Sequence, residues 1–579
     1  MRTIYVEKIS PRSLRSVQKL FRSNEKIDRI IFPQAIDFSA HHYNAEVKYL
    51  SELLPKHKLL AFEIMERAME PILMHIQNLT QMKGMQEAMS KALRFPLFDV
   101  ATSLALAKNL TPQEELFIVT EWPSVHKLMT KEQFSERVHI ENCQSRTRLL
   151  LQLFWIILEG YLFAGKCLWN LFKPIRGHLQ PSVVGIFANY GTPLDLTASI
   201  FEKQKPSEIY FHMSPVLETR TFKGREKEDR KRTIQCLQKK GWNWWVFEDR
   251  HPLRALKQAF RATFRAFVMM RDGSLLDLRG LLVRVHLTSE RWFYEIHDFL
   301  QATHLKLLIL SEERSPIGNL IGQTTREYGC KTICMFNGFF NDKDPFLKPP
   351  PDFNAWALWG PFHEQVFKDL GVPDEKIYLT GHFRSEKWKE LSEKIERPTF
   401  NSQKLVLGYF SQVSSCFFPD VRNDLTHLLK QVLALEPSLK LLIKAHPLED
   451  YELLKKQWET VDRARLIPRD GTPYDLLKQA TLVIGVNSTT LLESLAAGIP
   501  AVLYDPMDTL KVCVEMGACL NLFGAKHPEN ELVALLNNGG ELQEMATQAR
   551  KAALHCLGKL DGRSIERIHE VIHMLLRGG

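Results

Sequence analysis

Residues Thr472 to Pro506 read TPYDLLKQATLVIGVNSTTLLESLAAGIPAVLYDP. Within them a continuous apolar run, TLVIGV, breaks at Asn487-Ser488-Thr489-Thr490, where a helical pattern begins. That pattern closes at Gly498-Ile499-Pro500, ahead of a second apolar run, AVLY. Strands without polar alternation, joined by a helix, predict a parallel sheet covered on both faces. Ser488, Thr489 and Thr490 are good helix caps. The helix start carries unpaired N–H groups and the positive dipole end, a natural place for an anion. Hydroxyls beside those groups suit a diphosphate or a nucleotide monophosphate, and Glu493, one turn in, suits a ribose. Ordinary helix capping fits the same residues.

The texture extends in both directions. KLVLGYFSQ and KLLIKAHP precede the segment, with helical patterns DLTHLLKQVLAL and DYELLKKQW between the strands. Residues 399–579 therefore form one doubly wound α/β domain. Upstream, SVVGIFANYG, SEIYFHM, LKLLILSEE, KTICMFNG, AWALWG and KIYLTGHF predict a second such domain over 179–398. Ligands of such sheets bind beyond the carboxyl ends of the strands. Lys444, His446 and Pro447 end one strand on the same edge as Asn487–Thr490. An imidazole there can donate to a phosphate oxygen and stabilise a departing nucleotide.

Residues 1–178 read as a mainly helical accessory domain. KHKLLAFEIMERAMEPILMHIQNL carries helical periodicity, and IDRIIF and EELFIVTEW are strand candidates. The block holds no chemical motif.

At 579 residues the chain exceeds a single core. Its 45% hydrophobic, 25% charged and 10% aromatic content is that of a folded globular protein, which excludes disordered, collagenous and multi-span classes. Nine cysteines without CxxC pairs argue against a disulfide or zinc framework. The amino terminus lacks the apolar core of a secretory signal. These features predict a cytoplasmic protein. No P-loop, HExxH or GxSxG motif is present.

The net charge of +9 is concentrated. Residues 220–271 hold fifteen Lys/Arg against five Asp/Glu, which points to an anionic partner: an anionic acceptor or an anionic membrane surface. Within that segment HPLRALKQAFRATFRAFVMM sets Leu253, Leu256, Phe260, Phe264 and Phe267 on one helical face, with Arg254, Lys257, Arg261 and Arg265 beside it. A basic amphipathic helix of this kind suits a membrane interface. LLLQLFWIILEGYLFAGKCLWNLF, residues 149–172, is long enough to span a bilayer, but Glu159 and Lys166 interrupt it. It reads as a docking helix, which would make the protein peripheral on the inner face of the cell membrane. A surface or inter-domain helix fits both segments as well. No nucleic-acid module is recognisable, so no nucleic-acid partner is expected.

Together, AHP and PYDLLKQATLVIGVNSTTLLESLAAGIPAV resemble the carboxy-terminal domain of GT-B glycosyltransferases. They are most similar to the bacterial surface- and capsular-carbohydrate group, with its CMP-sugar-using sialyl- and Kdo-transferases and its CDP-glycerol glycerophosphotransferases. The resemblance covers residues 180–579. It implies two Rossmann-like domains facing a cleft, a nucleotide-sugar donor (a CMP-sugar first, a UDP-sugar next) and a glycan or glycolipid acceptor. It implies no cofactor and metal-independent transfer. The donor role falls to Lys444, His446, Pro447, Asn487, Ser488, Thr489, Thr490 and Glu493, and His446 is also a catalytic candidate. The acceptor role falls to Asn189, Gly191, Asp195 and Asn337. The glycerophosphotransferase-like members carry His-Gly where this chain has Asn337-Gly338, which removes a base. Glu312 and Glu313, after a buried strand, are the candidates for the general base, since adjacent carboxylates raise one another's pKa. Arg314 follows them where sialyltransferase-like enzymes have Gly. CDP-glycerol-dependent glycerophosphate transfer, or nucleotide binding by a non-catalytic scaffold, are the alternative functions.

Overall fold

The computed structural model describes the strands below and, from residue 146 on, chiefly 146–172, 183–188, 209–213, 243–246, 250–270, 276–311, 316–335 and most of 338–579. Within that last stretch 340–346, 349, 384, 395–404, 413–420, 447–448, Asn487, 507 and 578–579 lie outside the described residues. The chain divides into two compact units. One comprises Met1–Met335, Pro345–Trp356 and Ile572–Gly579, the other Phe336–Asp344 and Ala357–Val571.

Three parallel sheets follow one another along the chain. The first contains β1 (Arg2–Val6), β2 (Arg29–Phe32), β3 (Glu46–Tyr49), β4 (Glu115–Thr120) and β5 (Val138–Asn142), in the order β3-β2-β1-β4-β5. All its pairings are parallel. IDRIIF and EELFIVTEW supply β2 and β4 as expected. The expectation of a mainly helical block left this sheet out, because RTIYV, EVKY and VHIEN are short and carry charged or polar residues that mask their strand character.

The second sheet uses β6 (Val184–Ala188), β7 (Ile209–Met213), β8 (Asn243–Val246), β9 (Leu307–Leu310), β10 (Lys331–Met335), β11 (Ala355–Leu358) and β12 (Ile377–Leu379), in the order β12-β11-β10-β9-β6-β7-β8. Ahead of it and within it run α1 (Arg146–Leu171), α2 (Pro252–Met270), α3 (Leu276–Thr303) and α4 (Pro316–Glu327). β9 is buried throughout, as its unbroken LLIL requires.

The third sheet lies in the second unit. Its strands are β13 (Val406–Phe410), β14 (Lys440–Lys444), β15 (Ala464–Leu466), β16 (Leu482–Gly485), β17 (Ala501–Leu503) and β18 (Cys519–Asn521), in the order β15-β14-β13-β16-β17-β18. Every neighbour is parallel. The same unit contains α5 (Pro361–Asp369), α6 (Ser385–Lys394), α7 (Arg422–Leu435), α8 (Tyr451–Trp458), α9 (Pro473–Leu477), α10 (Thr489–Ala496), α11 (Lys511–Glu515), α12 (Pro528–Leu536) and α13 (Gly539–Leu557), with α14 (Ser564–Arg577) after them. Its core joins Leu407, Ile443, Ile484 and Val502 from four strands to Leu425, Val432 and Leu535 from α7 and α12. An inward-facing Leu or Ile at each strand centre contributes about 1.5–3 kcal/mol.

The doubly wound α/β class read from the sequence is therefore the class observed. In each sheet the chain starts in the middle, builds outward one way, then returns to build the other way. The reversal leaves two neighbouring strands whose carboxyl-end loops turn in opposite directions: β1 and β4, β6 and β9, β13 and β16.

Candidate functional site

The third sheet carries the site that is best described. Its reversal point falls between β13 and β16, and β14 flanks β13 on the other side. The ends of β14 and β16 thus stand two strand spacings apart, about 10 Å. Three segments converge on this edge: Ser411 after β13, His446 after β14, and Ser488–Thr490 opening α10.

Ser488 is the N-cap of α10. Its backbone is extended (φ −82°, ψ 139°) and its Oγ accepts from the Thr490 N–H at 3.3 Å. The Ser488 and Thr490 hydroxyls lie 2.7 Å apart. The capping chemistry read from the sequence is present, and it clusters hydroxyls and amide donors at a helix start. Ser488, Thr489 and Thr490 are all half-buried, whereas Leu491–Ala496 are buried. The helix thus offers only its first turn to a ligand.

A carboxylate that no motif flagged ties the neighbouring loops. Glu449 accepts from the Ser411 hydroxyl at 2.8 Å and from the His446 backbone N–H at 3.2 Å. The Ser411 N–H donates to the Lys444 carbonyl at 3.0 Å, extending the β13–β14 ladder by one residue. Glu449 therefore fixes the strand end from which the half-buried His446 ring emerges. Its signal in the sequence is only a Glu three residues after a strand-ending His.

Lys444 ends β14 as expected, whereas Glu493 sits differently from expectation. The Lys444 ammonium lies 3.5 Å from the carbonyl oxygens of Pro468 and Arg469, in the loop after β15. Partial burial lowers its pKa, opposed by the nearby Asp470 and Asp475. Glu493 is 1% exposed. The second turn of α10 lies inside the domain, so its carboxylate does not face an open ribose position. Of the other residues singled out, Pro447, Asn487, Asn189, Gly191, Asp195, Glu312, Glu313 and Asn337 lie outside the described residues.

This edge gathers hydroxyls, amide donors and an imidazole around a helix start. Such a set has the chemistry to bind and stabilise an anion. Among the described residues, no group of three or more His, Cys, Asp or Glu is placed to hold a metal ion.

A family model described as capsule polysaccharide biosynthesis protein matches residues 396–504. No curated protein matches the chain. Among solved structures, UDP-GlcNAc 2-epimerase from Neisseria meningitidis bound to UDP-GlcNAc is 10% identical, with 68% of this chain and 100% of that chain covered at a TM-score of 0.45. MurG of Acinetobacter baumannii is 13% identical, with coverages of 68% and 99% and a TM-score of 0.42. The wall teichoic acid polymerase TagF is 11% identical, with coverages of 75% and 99% and a TM-score of 0.39. The matched segment runs from ahead of β13 to just beyond β17 and includes Ser411, His446, Glu449 and Ser488–Thr490. Residues 396–504 are thus similar to the capsule polysaccharide biosynthesis family, as the sequence resemblance implied.

Proposed function

We propose that this chain is a glycosyltransferase of surface-polysaccharide assembly, and that the third sheet binds its nucleotide-activated donor, a CMP-sugar first and a UDP-sugar next. One observation carries the reading. The helix start of α10 and the loop clasped by Glu449 share the carboxyl edge of the sheet on either side of β13, beside its reversal point, inside the segment similar to capsule polysaccharide biosynthesis proteins.

In this reading the first turn of α10 and the Ser488 and Thr490 hydroxyls hold the donor phosphate. His446 donates a hydrogen bond to a phosphate oxygen as the bond to the anomeric carbon breaks, which stabilises the charge left on the nucleotide. The acceptor hydroxyl supplies the new bond to that carbon and gives its proton to a carboxylate, Glu312 or Glu313. Asn189, Gly191, Asp195 and Asn337, after β6 and β10, are the acceptor-side residues. Transfer needs no metal, because the helix start and the imidazole meet the charge that a divalent cation would otherwise neutralise.

The test is transfer from labelled CMP- and UDP-sugars to an extract of surface glycans and glycolipids, comparing wild type with His446→Ala and Thr490→Val. Loss of about a hundredfold or more in His446→Ala, with an unchanged thermal melt, supports the role. Full activity in that variant would remove it. Nucleotide binding without turnover for any donor would favour a scaffold.

A further inference from the structure

The first unit presents a surface built the opposite way round from an ordinary helix pair. α1 and α2 pack through small side chains: a Cβ at Gly160 would stand 3.2 Å from the Ala259 Cβ, and Ala164, Cys167 and Ala255 make the buried cluster beside it. The large apolar groups face outward. On α1, Trp155, Leu162 and Trp169 are 57%, 62% and 64% exposed. On α2, Leu253, Phe260 and Phe264 are 81%, 65% and 62% exposed. At 100° per residue, the α2 stripe lies opposite its alanine seam of Ala255, Ala259 and Ala262. Water-soluble helices bury their largest apolar side chains, whereas small residues inside and large ones outside is the packing of helices against lipid.

Charge selects the kind of lipid. The basic residues of α2 divide into two sets. Arg254 forms a bidentate pair with Asp298 of α3 at 2.7 and 3.0 Å and lies over the Tyr294 ring, while Arg265 contacts His286. Those two hold α2 onto α3. Lys257 and Arg261 are exposed beside Phe260, and residues 251–265 contain no acidic side chain. On α1 Lys166 is exposed, and Glu159 faces Arg284 of α3 at 3.6 Å. Among the described residues no helix is long and apolar enough to cross a membrane.

We propose that the outer faces of α1 and α2 together form a docking surface for an anionic lipid bilayer. The aromatic and leucine side chains enter the headgroup–acyl boundary, and Lys257, Arg261 and Lys166 engage acidic headgroups. The surface is built from residues of the first unit and the donor site from residues of the second, so the two tests fail independently.

The test is co-sedimentation of the full chain with vesicles of phosphatidylcholine, with and without phosphatidylglycerol. Wild type binds the anionic vesicles, and added salt weakens the binding. Phe260→Ser/Phe264→Ser and Lys257→Glu/Arg261→Glu each lower partitioning by about tenfold or more, with unchanged circular dichroism. These side chains are exposed, so both variants keep the fold. Brominated lipid quenches tryptophan fluorescence in wild type, and Trp155→Phe/Trp169→Phe removes most of that quenching. A wild type that stays in the supernatant, or double variants that bind as wild type does, would overturn the proposal. So would concentration-dependent dimerisation abolished by Phe260→Ser/Phe264→Ser without vesicle binding, which would assign the surface to a second copy of the chain.

Discussion

Glu449 holds two strand ends with one carboxylate, and it shows how a site depends on a residue that touches no motif. Glu449→Ala removes both acceptor oxygens, so the Ser411 hydroxyl and the His446 N–H each lose this partner. The expected cost is about 1–2 kcal/mol in urea unfolding, with about tenfold weaker nucleotide binding. Unchanged values for both would show that the clasp is incidental. At this scale the sequence discloses chemistry better than placement. AHP and NSTT stand out because a strand-ending His and a run of hydroxyls at a helix start are unusual side by side. Glu449 does not stand out, because a Glu just before a helix is common. Nor does periodicity show that Leu491–Ala496 are buried on every side, which encloses Glu493.

The elements of the second unit meet at glycines. Gly558, after α13, has φ +77°, and a Cβ there would lie 2.1 Å from the Trp359 carbonyl oxygen. Gly498, after α10, has φ +78° with nothing within 4 Å of such a Cβ. Gly498→Ala therefore meets only the backbone term, about 1 kcal/mol. Gly558→Ala adds a collision with main chain that cannot move aside, for about 3 kcal/mol or more in total. Thermal or urea unfolding of the two variants checks the ordering, and equal losses would contradict it. Continuous apolar runs made β6, β9, β10, β13, β14, β16 and β17 readable in advance. β1, β3, β5, β8, β15 and β18 were not readable: they are three to five residues long and lack an unbroken aliphatic run. Tertiary pairing fixes such strands more than their own propensity does.

Across the molecule, three parallel sheets repeat one winding order. That repetition is invisible in the sequence, because strand order is set by non-local pairing. Each unit also encloses a neutral histidine. Burial lowers His286 in the first unit to about 3, with help from Arg265 and Arg261. Burial lowers His363 in the second to about 3, with help from His555. The folded values lie below the unfolded 6.5, so as pH falls from about 6.5 towards 3 the unfolded chain takes up protons that the folded chain refuses. Stability is full above that window and falls within it, by up to about 1.4 kcal/mol per pH unit for each histidine. Glu290, beside His286, has its pKa raised by burial and works in the opposite direction, which makes His363 the cleaner probe. His363→Phe, set among Phe339, Trp359 and Phe362, should flatten the acid limb measured by urea unfolding between pH 7 and pH 4. A limb as steep as in wild type would show that this histidine does not carry the loss.

Nucleotide binding at the third sheet is the claim on which the proposed function depends, and calorimetry reads it directly. CMP, CDP, UDP, GDP and dTDP would be titrated into wild type and into His446→Ala, which removes the imidazole but keeps the backbone N–H that Glu449 accepts. Binding of a cytidine or uridine nucleotide by wild type, weakened about tenfold or more in the variant, is the predicted result. No binding of any nucleotide by wild type would reduce Ser488–Thr490 to helix capping and contradict the account.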